Sequence, residues 1–247
     1  FISLRRGYHF LPKHIFGKPT DVFGESSKGL PIRVRQMMMS GLLKLLIGDL
    51  TRLGLQKPDH RVLESHPIAN SQLLHYLHHG DAKAKPGIDH LTKREVVFTD
   101  GSRESIDLII LATGYGCQIP YLDENYFEWK DNRPQAYMKI FNKQQSSLFL
   151  NGFLETNGGA YKFYDEMAYL IAQGIKTQLK GGSDWQKLQN IIQAKEPELS
   201  GNINYVKSDR HSNYTNGDTY RAALAKLRKQ MKWPDLKPNT FDSLRLN

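Results

Sequence analysis

The 247-residue chain contains one cysteine, Cys117, which excludes a disulfide framework and also the cysteine pair on which dithiol redox enzymes depend. No apolar run reaches the roughly 18 residues that a spanning helix needs, and the mean hydropathy is negative at -0.54. Gly-x-Gly-x-x-Gly occurs nowhere, so the loop that cradles a dinucleotide pyrophosphate at a helix amino terminus is missing. No internal repeat, low-complexity tract, Ser-His-Asp set or carboxylate pair stands out. Positive charge is plentiful: 34 Lys and Arg against 25 Asp and Glu give +9. The cations are scattered, densest at Arg33 with Arg35 and from Lys226 to Lys232, and no aromatic stripe interleaves them, so no nucleic-acid partner is expected. A hydrophobic content of 39% over this length allows one or two domains with a sizeable core. The lone thiol fits a reducing, cytoplasmic setting.

Residues 107 to 116, Asp-Leu-Ile-Ile-Leu-Ala-Thr-Gly-Tyr-Gly, are the most informative stretch. An acidic residue opens a fully apolar run, Leu108 to Leu111, that stops at the small-residue turn Ala112-Thr113-Gly114. Apolar residues on both faces of so short a segment predict a strand covered on both sides, as in a parallel α/β sheet. Gly114 then permits a tight turn and close approach of backbone to a ligand, at the carboxyl end of the strand where open α/β sheets bind nucleotides. The bland alternative is a buried strand ended by a glycine turn. Upstream, Val96 to Ile106 reads as a hairpin with Asp100-Gly101 at its turn.

This combination resembles the flavin-containing monooxygenases, in which an Ala-Thr-Gly segment joins the NADPH domain back to the FAD domain. Further segments carry the resemblance. Ser3 to Pro12, with Arg5 and Arg6, is similar to the end of the second NADPH-domain strand and its basic turn. Leu55 to Arg61, Glu64 to Pro67 and Gly80 to Pro86 resemble spacer segments of bacterial members. Leu148 to Phe153 followed by Thr156-Asn157-Gly158-Gly159 looks like the strand and loop that reach the flavin, and Tyr205 to His211 matches a segment with no assigned chemistry. The resemblance runs from residue 1 to about residue 230.

The resemblance implies an α/β, Rossmann-like fold of two dinucleotide-binding domains lacking its amino-terminal half. Residues 1–113 would be the remainder of the NADPH-binding domain, and 114–247 the carboxyl-terminal part of the FAD-binding domain with a helical tail. Both pyrophosphate loops and the Phe-x-Gly-x-x-x-His fingerprint are absent, so the missing amino-terminal half would supply them. The implied chemistry is NADPH reduction of FAD, capture of O2 as a flavin hydroperoxide, and insertion of one oxygen atom into a small organic substrate. It asks no amino acid to act as nucleophile. The implied cofactor residues are Arg5 and Arg6 for the 2′-phosphate of NADPH, and Ala112, Thr113, Gly114, Gly152, Thr156, Asn157 and Gly158 around the cofactors. Two other readings stand beside this one: a catalytically inactive remnant, and another two-dinucleotide-domain oxidoreductase.

Elsewhere the pattern predicts an amphipathic helix over 31–53, whose Arg33, Arg35, Lys44 and Arg52 sit among Met and Leu. It would either cover the sheet or lie on a membrane surface. A short helix over 70–79 ends at Gly80. Its His75, His78 and His79 suit either a metal or the negative end of the helix dipole. The aromatics from Tyr121 to Tyr137 shape a substrate channel in the family, or simply pack a small sheet. Helices are expected over 164–179, 185–195 and 218–232, the last capped by Asp218.

Overall fold

The computed structural model describes residues 1–20, 29–156, 159–208, 211 and 213–236. The chain divides into two compact units, Phe1–Tyr115 and Gly116–Asn247. The first contains, in order, β1 (Ile2–Ser3), β2 (Phe10–Leu11), β3 (His14–Ile15), β4 (Lys18–Pro19), α1 (Ile32–Ile47), β5 (Ile68–Ala69), α2 (Gln72–His79), β6 (Ala84–Lys85), β7 (Ile88–Leu91), β8 (Glu95–Phe98) and β9 (Arg103–Ser105). β1 pairs in parallel with β6, and β2 with β5. Parallel neighbours require long crossovers, and α1 and α2 lie within them. Phe10, Leu55, Leu74 and Leu77 form the core between them, with Ile2, Leu4 and Ile47 packed against it.

The helix expected over 31–53 is two elements. Gly48, at φ 77°, ends α1 with its N–H bonded to the Lys44 carbonyl. Asp49 then accepts from the Thr51 N–H at 3.0 Å and starts a 3-10 turn, Leu50–Leu53. α2 forms as the pattern predicts: Asn70 accepts from the Leu73 N–H at 3.1 Å, and Gly80 closes the helix at φ 80°. His78 and His79 donate through Nδ1 to the Leu74 and His75 carbonyls at 2.7 and 2.9 Å. Among the described residues no cluster of three metal-ligating side chains occurs.

β7, β8 and β9 form an antiparallel meander that buries Val96, Val97 and Phe98. The Asp100-Gly101 turn is where the sequence puts it, with Gly101 at φ 80° and Asp100 accepting from the Ser102 N–H at 2.9 Å. The segment Leu108 to Leu111 departs from expectation. It is extended but joins no sheet, and its side chains are exposed, Leu108 by 75% and Ile110 by 82%. An apolar segment becomes a two-face-buried strand only with neighbours on its edges and layers on its faces, and no described residue supplies them.

The second unit contains the antiparallel hairpin β10 (Glu128–Lys130) and β11 (Arg133–Gln135), turned by Asp131 and Asn132 at φ 51° and 55°. It continues through β12 (Glu155–Thr156), α3 (Tyr161–Lys180), α4 (Gly182–Gln193), β13 (Tyr214–Thr215) and α5 (Gly217–Gln230). Its core joins Ile140, Phe141, Met167, Leu170, Leu188, Tyr220 and Leu224. Gly174 lets this core close, since a Cβ there would lie 2.8 Å from the Phe141 ring. The strand expected from Leu148 is only a bridge between Phe149 and Phe141. The cap of α5 is Asn216, not Asp218: its Oδ1 accepts from the Thr219 N–H and hydroxyl at 3.0 and 3.1 Å.

A turn at Tyr137–Phe141 anchors this core. Met138 and Lys139 take left-handed φ values of 53° and 60°. Glu196 accepts from the Met138 N–H at 2.7 Å, and the Tyr220 hydroxyl donates to the Met138 carbonyl at 2.8 Å. Lys139 donates to Asn213. Burial raises the Glu196 carboxyl pKa and lowers that of the Lys139 ammonium.

Tyr220 is fully buried, so Tyr220→Phe strands the Met138 carbonyl and should cost on the order of 1–3 kcal/mol in denaturant unfolding, with helix content unchanged. In the first unit, His9 donates through Nε2 to the His60 carbonyl at 2.8 Å, and burial lowers its pKa below the ordinary 6.5. The fold therefore favours neutral His9. That contribution is complete above pH 6.5 and is lost as pH falls through the lowered folded-state value. Chemical unfolding followed from about pH 7.5 to about pH 5.5 should show stability falling with acidity, and His9→Gln, which keeps the donor, should flatten the slope.

Candidate functional site

Arg5 and Arg6 lie just beyond β1, where the chain turns against a second segment. A Cβ on Gly7 would sit 2.3 Å from the Lys57 carbonyl oxygen and 2.5 Å from the Pro58 nitrogen, so glycine alone permits this approach. Gln56 fastens the same contact, donating to the Leu4 carbonyl at 3.2 Å. Arg5 is exposed and Arg6 half-buried. The Asp59 carboxyl is held below its usual range first by its 2.8 Å hydrogen bond to His60 and further by the charge of Arg6. Next to this turn is a cavity of about 170 Å³ lined by Tyr8, His9, Lys44, Asp49, Thr51 and Lys57 among others. Its volume suits an anionic group rather than a whole dinucleotide, which needs roughly 300 Å³ or more. Sequence reasoning marked the Lys57-Pro58 segment as family-like but missed Lys57 and Lys44 as cations of one cavity. Only the contact with Gly7 reveals the first.

Ala112, Thr113 and Gly114 are exposed, at the carboxyl end of the same unit. Gly114 has φ +94° and open space where a Cβ would point, so glycine is required by backbone conformation and not by crowding. Gly152, in the second unit, shows the same combination at φ +98°.

Thr156 is the best-defined of the expected cofactor residues. It is buried in β12, which pairs in parallel with β13, placing Thr156 opposite Thr215 and Glu155 opposite Tyr214. A Cβ on Gly217, the first residue of α5, would lie 3.2 Å from the Phe163 ring and 3.4 Å from the Thr156 hydroxyl. The start of α5 thus lies against Thr156, with the Phe163 ring of α3 beside it. Ala160 gives α3 no side-chain cap, so among the described residues no side chain caps its amino-terminal N–H groups. Arg133 steadies the strand through a 2.6 Å ion pair with Glu155. Among the described residues the buried Thr215 hydroxyl and the second Glu155 oxygen have no hydrogen-bond partner, and Thr215 is only 1% exposed. Such atoms call for a ligand or water. Asn157 and Gly158 lie outside the described residues. Thr215 and Arg133 were invisible to sequence reasoning; a Tyr-Thr pair just before the Asn-Gly-Asp helix start was the only available signal.

The sequence matches the family described as flavin-binding monooxygenase-like over residues 23–237. It is 32% identical to flavin-containing monooxygenase 5 of Oryctolagus cuniculus over 63% of this chain and 29% of that protein. Against flavin-containing monooxygenase 5 of Homo sapiens it is 31% identical over 86% of this chain and 40% of the relative. Against indole-3-pyruvate monooxygenase YUCCA6 of Arabidopsis thaliana it is 37% identical over 62% and 39%. The chain therefore spans less than half the length of these relatives. With the match running through both units and across Ala112–Gly114 and Gly152–Thr156, the chain belongs to the flavin-binding monooxygenase-like family.

Proposed function

We propose that this chain is the carboxyl-terminal portion of an FAD- and NADPH-dependent monooxygenase that places one oxygen atom from O2 into a small organic substrate. The observation that carries the reading is the setting of Thr156: a family-like loop, the start of α5, the Phe163 ring of α3 and a buried Thr215 hydroxyl without a hydrogen-bond partner among the described residues meet in one place. A flavin fits these groups. Its pyrimidine edge bears carbonyls and a nitrogen that accept hydrogen bonds, and the open amino terminus of α3 offers donors and positive potential. Bound flavin would supply the electron transfer and oxygen activation that no amino acid provides.

The protein's own residues would bind and orient. Thr156, with Asn157 and Gly158 next in sequence, would hold the ring edge or nicotinamide, while Gly152 lets the backbone turn beside them. Arg5 and Arg6 would clasp the adenosine 2′-phosphate through paired hydrogen bonds, with Lys57 nearby adding charge. Residues 1–113 then belong to the NADPH-binding domain and 114–247 to the FAD-binding domain. The exposed run Leu108 to Leu111 supports this assignment, because an apolar segment with bare edges is what remains of a sheet completed by other polypeptide. The names of the relatives, flavin-containing monooxygenase and indole-3-pyruvate monooxygenase, support the reaction class.

Without either glycine loop, the 247-residue chain alone should purify colourless and fail to oxidise NADPH; a yellow, active preparation overturns the division of labour proposed here. In a polypeptide that carries both loops, replacing Arg5 and Arg6 together with Ala should raise KM for NADPH about tenfold or more while leaving KM for NADH nearly unchanged, since only NADPH has the 2′-phosphate. Equal effects on both cofactors remove these arginines from the site.

A further inference from the structure

The cavity of about 170 Å³ beside the Gly7 turn has a lining sorted by polarity. Its floor is apolar: Phe10, Leu43 and Val62 line it and are 2%, 8% and 2% exposed. Tyr8, half-buried, adds an aromatic wall. Lys44 and Lys57 also line it, and both are exposed, so they stand at its mouth. These residues come from β2 and the turn before it, from α1, and from the stretch between Gln56 and Val62, so only the folded first unit assembles them.

Charge and volume identify the occupant. Among the described residues neither the Lys44 nor the Lys57 ammonium enters an ion pair or a hydrogen bond. Asp49, the acidic residue of the lining, commits its Oδ1 to the Thr51 N–H and hydroxyl at 3.0 and 2.8 Å, where it holds the turn after α1. His9 spends its Nε2 proton on the His60 carbonyl. Two cations are thus left facing a site with an apolar floor, which suits an anion that also carries an apolar body. Roughly 150 Å³ of apolar space accommodates a benzene ring, so about 170 Å³ takes one six-carbon ring with a small charged group. We propose that this cavity binds a small aromatic carboxylate, with the ring on Phe10, Leu43 and Val62 and the carboxylate between the Lys44 and Lys57 ammonium groups. An inorganic anion would leave the floor unused, and a neutral ring would gain nothing from the lysines. A nucleotide is too large, and neither Arg5 nor Arg6 lines the cavity, so the site is separate from the arginine pair.

Ligand-observed NMR titration of the full 247-residue chain tests this, with benzoate as the probe and benzyl alcohol and inorganic phosphate as its neutral and ring-free counterparts. Benzoate should bind with a Kd of about 1 mM or tighter, and each counterpart about tenfold or more weakly. K44E/K57E should weaken benzoate about tenfold or more. Both side chains are exposed, so circular dichroism and the unfolding midpoint of that variant should match the parent. R5A/R6A should leave benzoate binding unchanged. In the parent chain with labelled Leu and Val methyl groups, benzoate should shift the Leu43 and Val62 signals and leave those of Leu108 and Leu111 in place, which locates the ligand without any substitution. Absence of benzoate binding, equal binding of benzyl alcohol or phosphate, binding that survives K44E/K57E in a folded variant, or unmoved Leu43 and Val62 signals would each overturn the proposal. Loss of benzoate binding in R5A/R6A would overturn it too, by making the cavity part of the nucleotide site. Should K44E/K57E misfold, the methyl shifts of the parent chain decide.

Discussion

The second unit depends on one tight turn. Met138 and Lys139 occupy left-handed backbone that L side chains adopt at a cost, and three long-range contacts hold them there: Glu196 on the Met138 N–H, Tyr220 on its carbonyl, and Asn213 on the Lys139 ammonium. The turn aims Phe141 into the face of α3 where Gly174 leaves room, and α4 and α5 pack around it. Because the partners come from beyond residue 195, the unit forms only when its two ends meet.

That closure also builds the candidate flavin site. β12 is two residues long and would have no partner locally; β13, nearly sixty residues later, supplies it. The same pairing brings the first turn of α5 onto Thr156 and Phe163. The loop expected to reach the flavin is therefore held by β13, Tyr214–Thr215, from far along the chain. In the first unit the equivalent device is steric. Gly7 against Lys57-Pro58 fixes the turn that follows Arg5 and Arg6, and Tyr8, Lys57 and Lys44 line a cavity next to it.

Among the described residues two apolar segments stand exposed, and their chemistry differs. Leu108 to Leu111 is a short neutral segment ready for backbone pairing, as expected for a strand lacking its sheet. The outer face of α1 has its backbone bonds satisfied within the helix and presents only side chains, edged with cations.

Local chemistry made much of the chain legible. The capping Asn70 with Gly80 set the limits of α2, the Asp100-Gly101 turn set the hairpin, and periodicity located α3, α4 and α5 to within a few residues. The Ala-Thr-Gly and Gly152–Thr156 segments led to the family, because composition and turn chemistry within ten residues carry that information. Tertiary structure decided the rest. It split the 31–53 helix at Gly48-Asp49, made Asn216 rather than Asp218 the cap, left the run at 108 outside any sheet, and set Thr215 and Lys57 beside residues far away in sequence. The physical reason is that a residue's propensity is written in its neighbours along the chain, whereas burial, parallel pairing and close backbone approach depend on which distant atoms arrive.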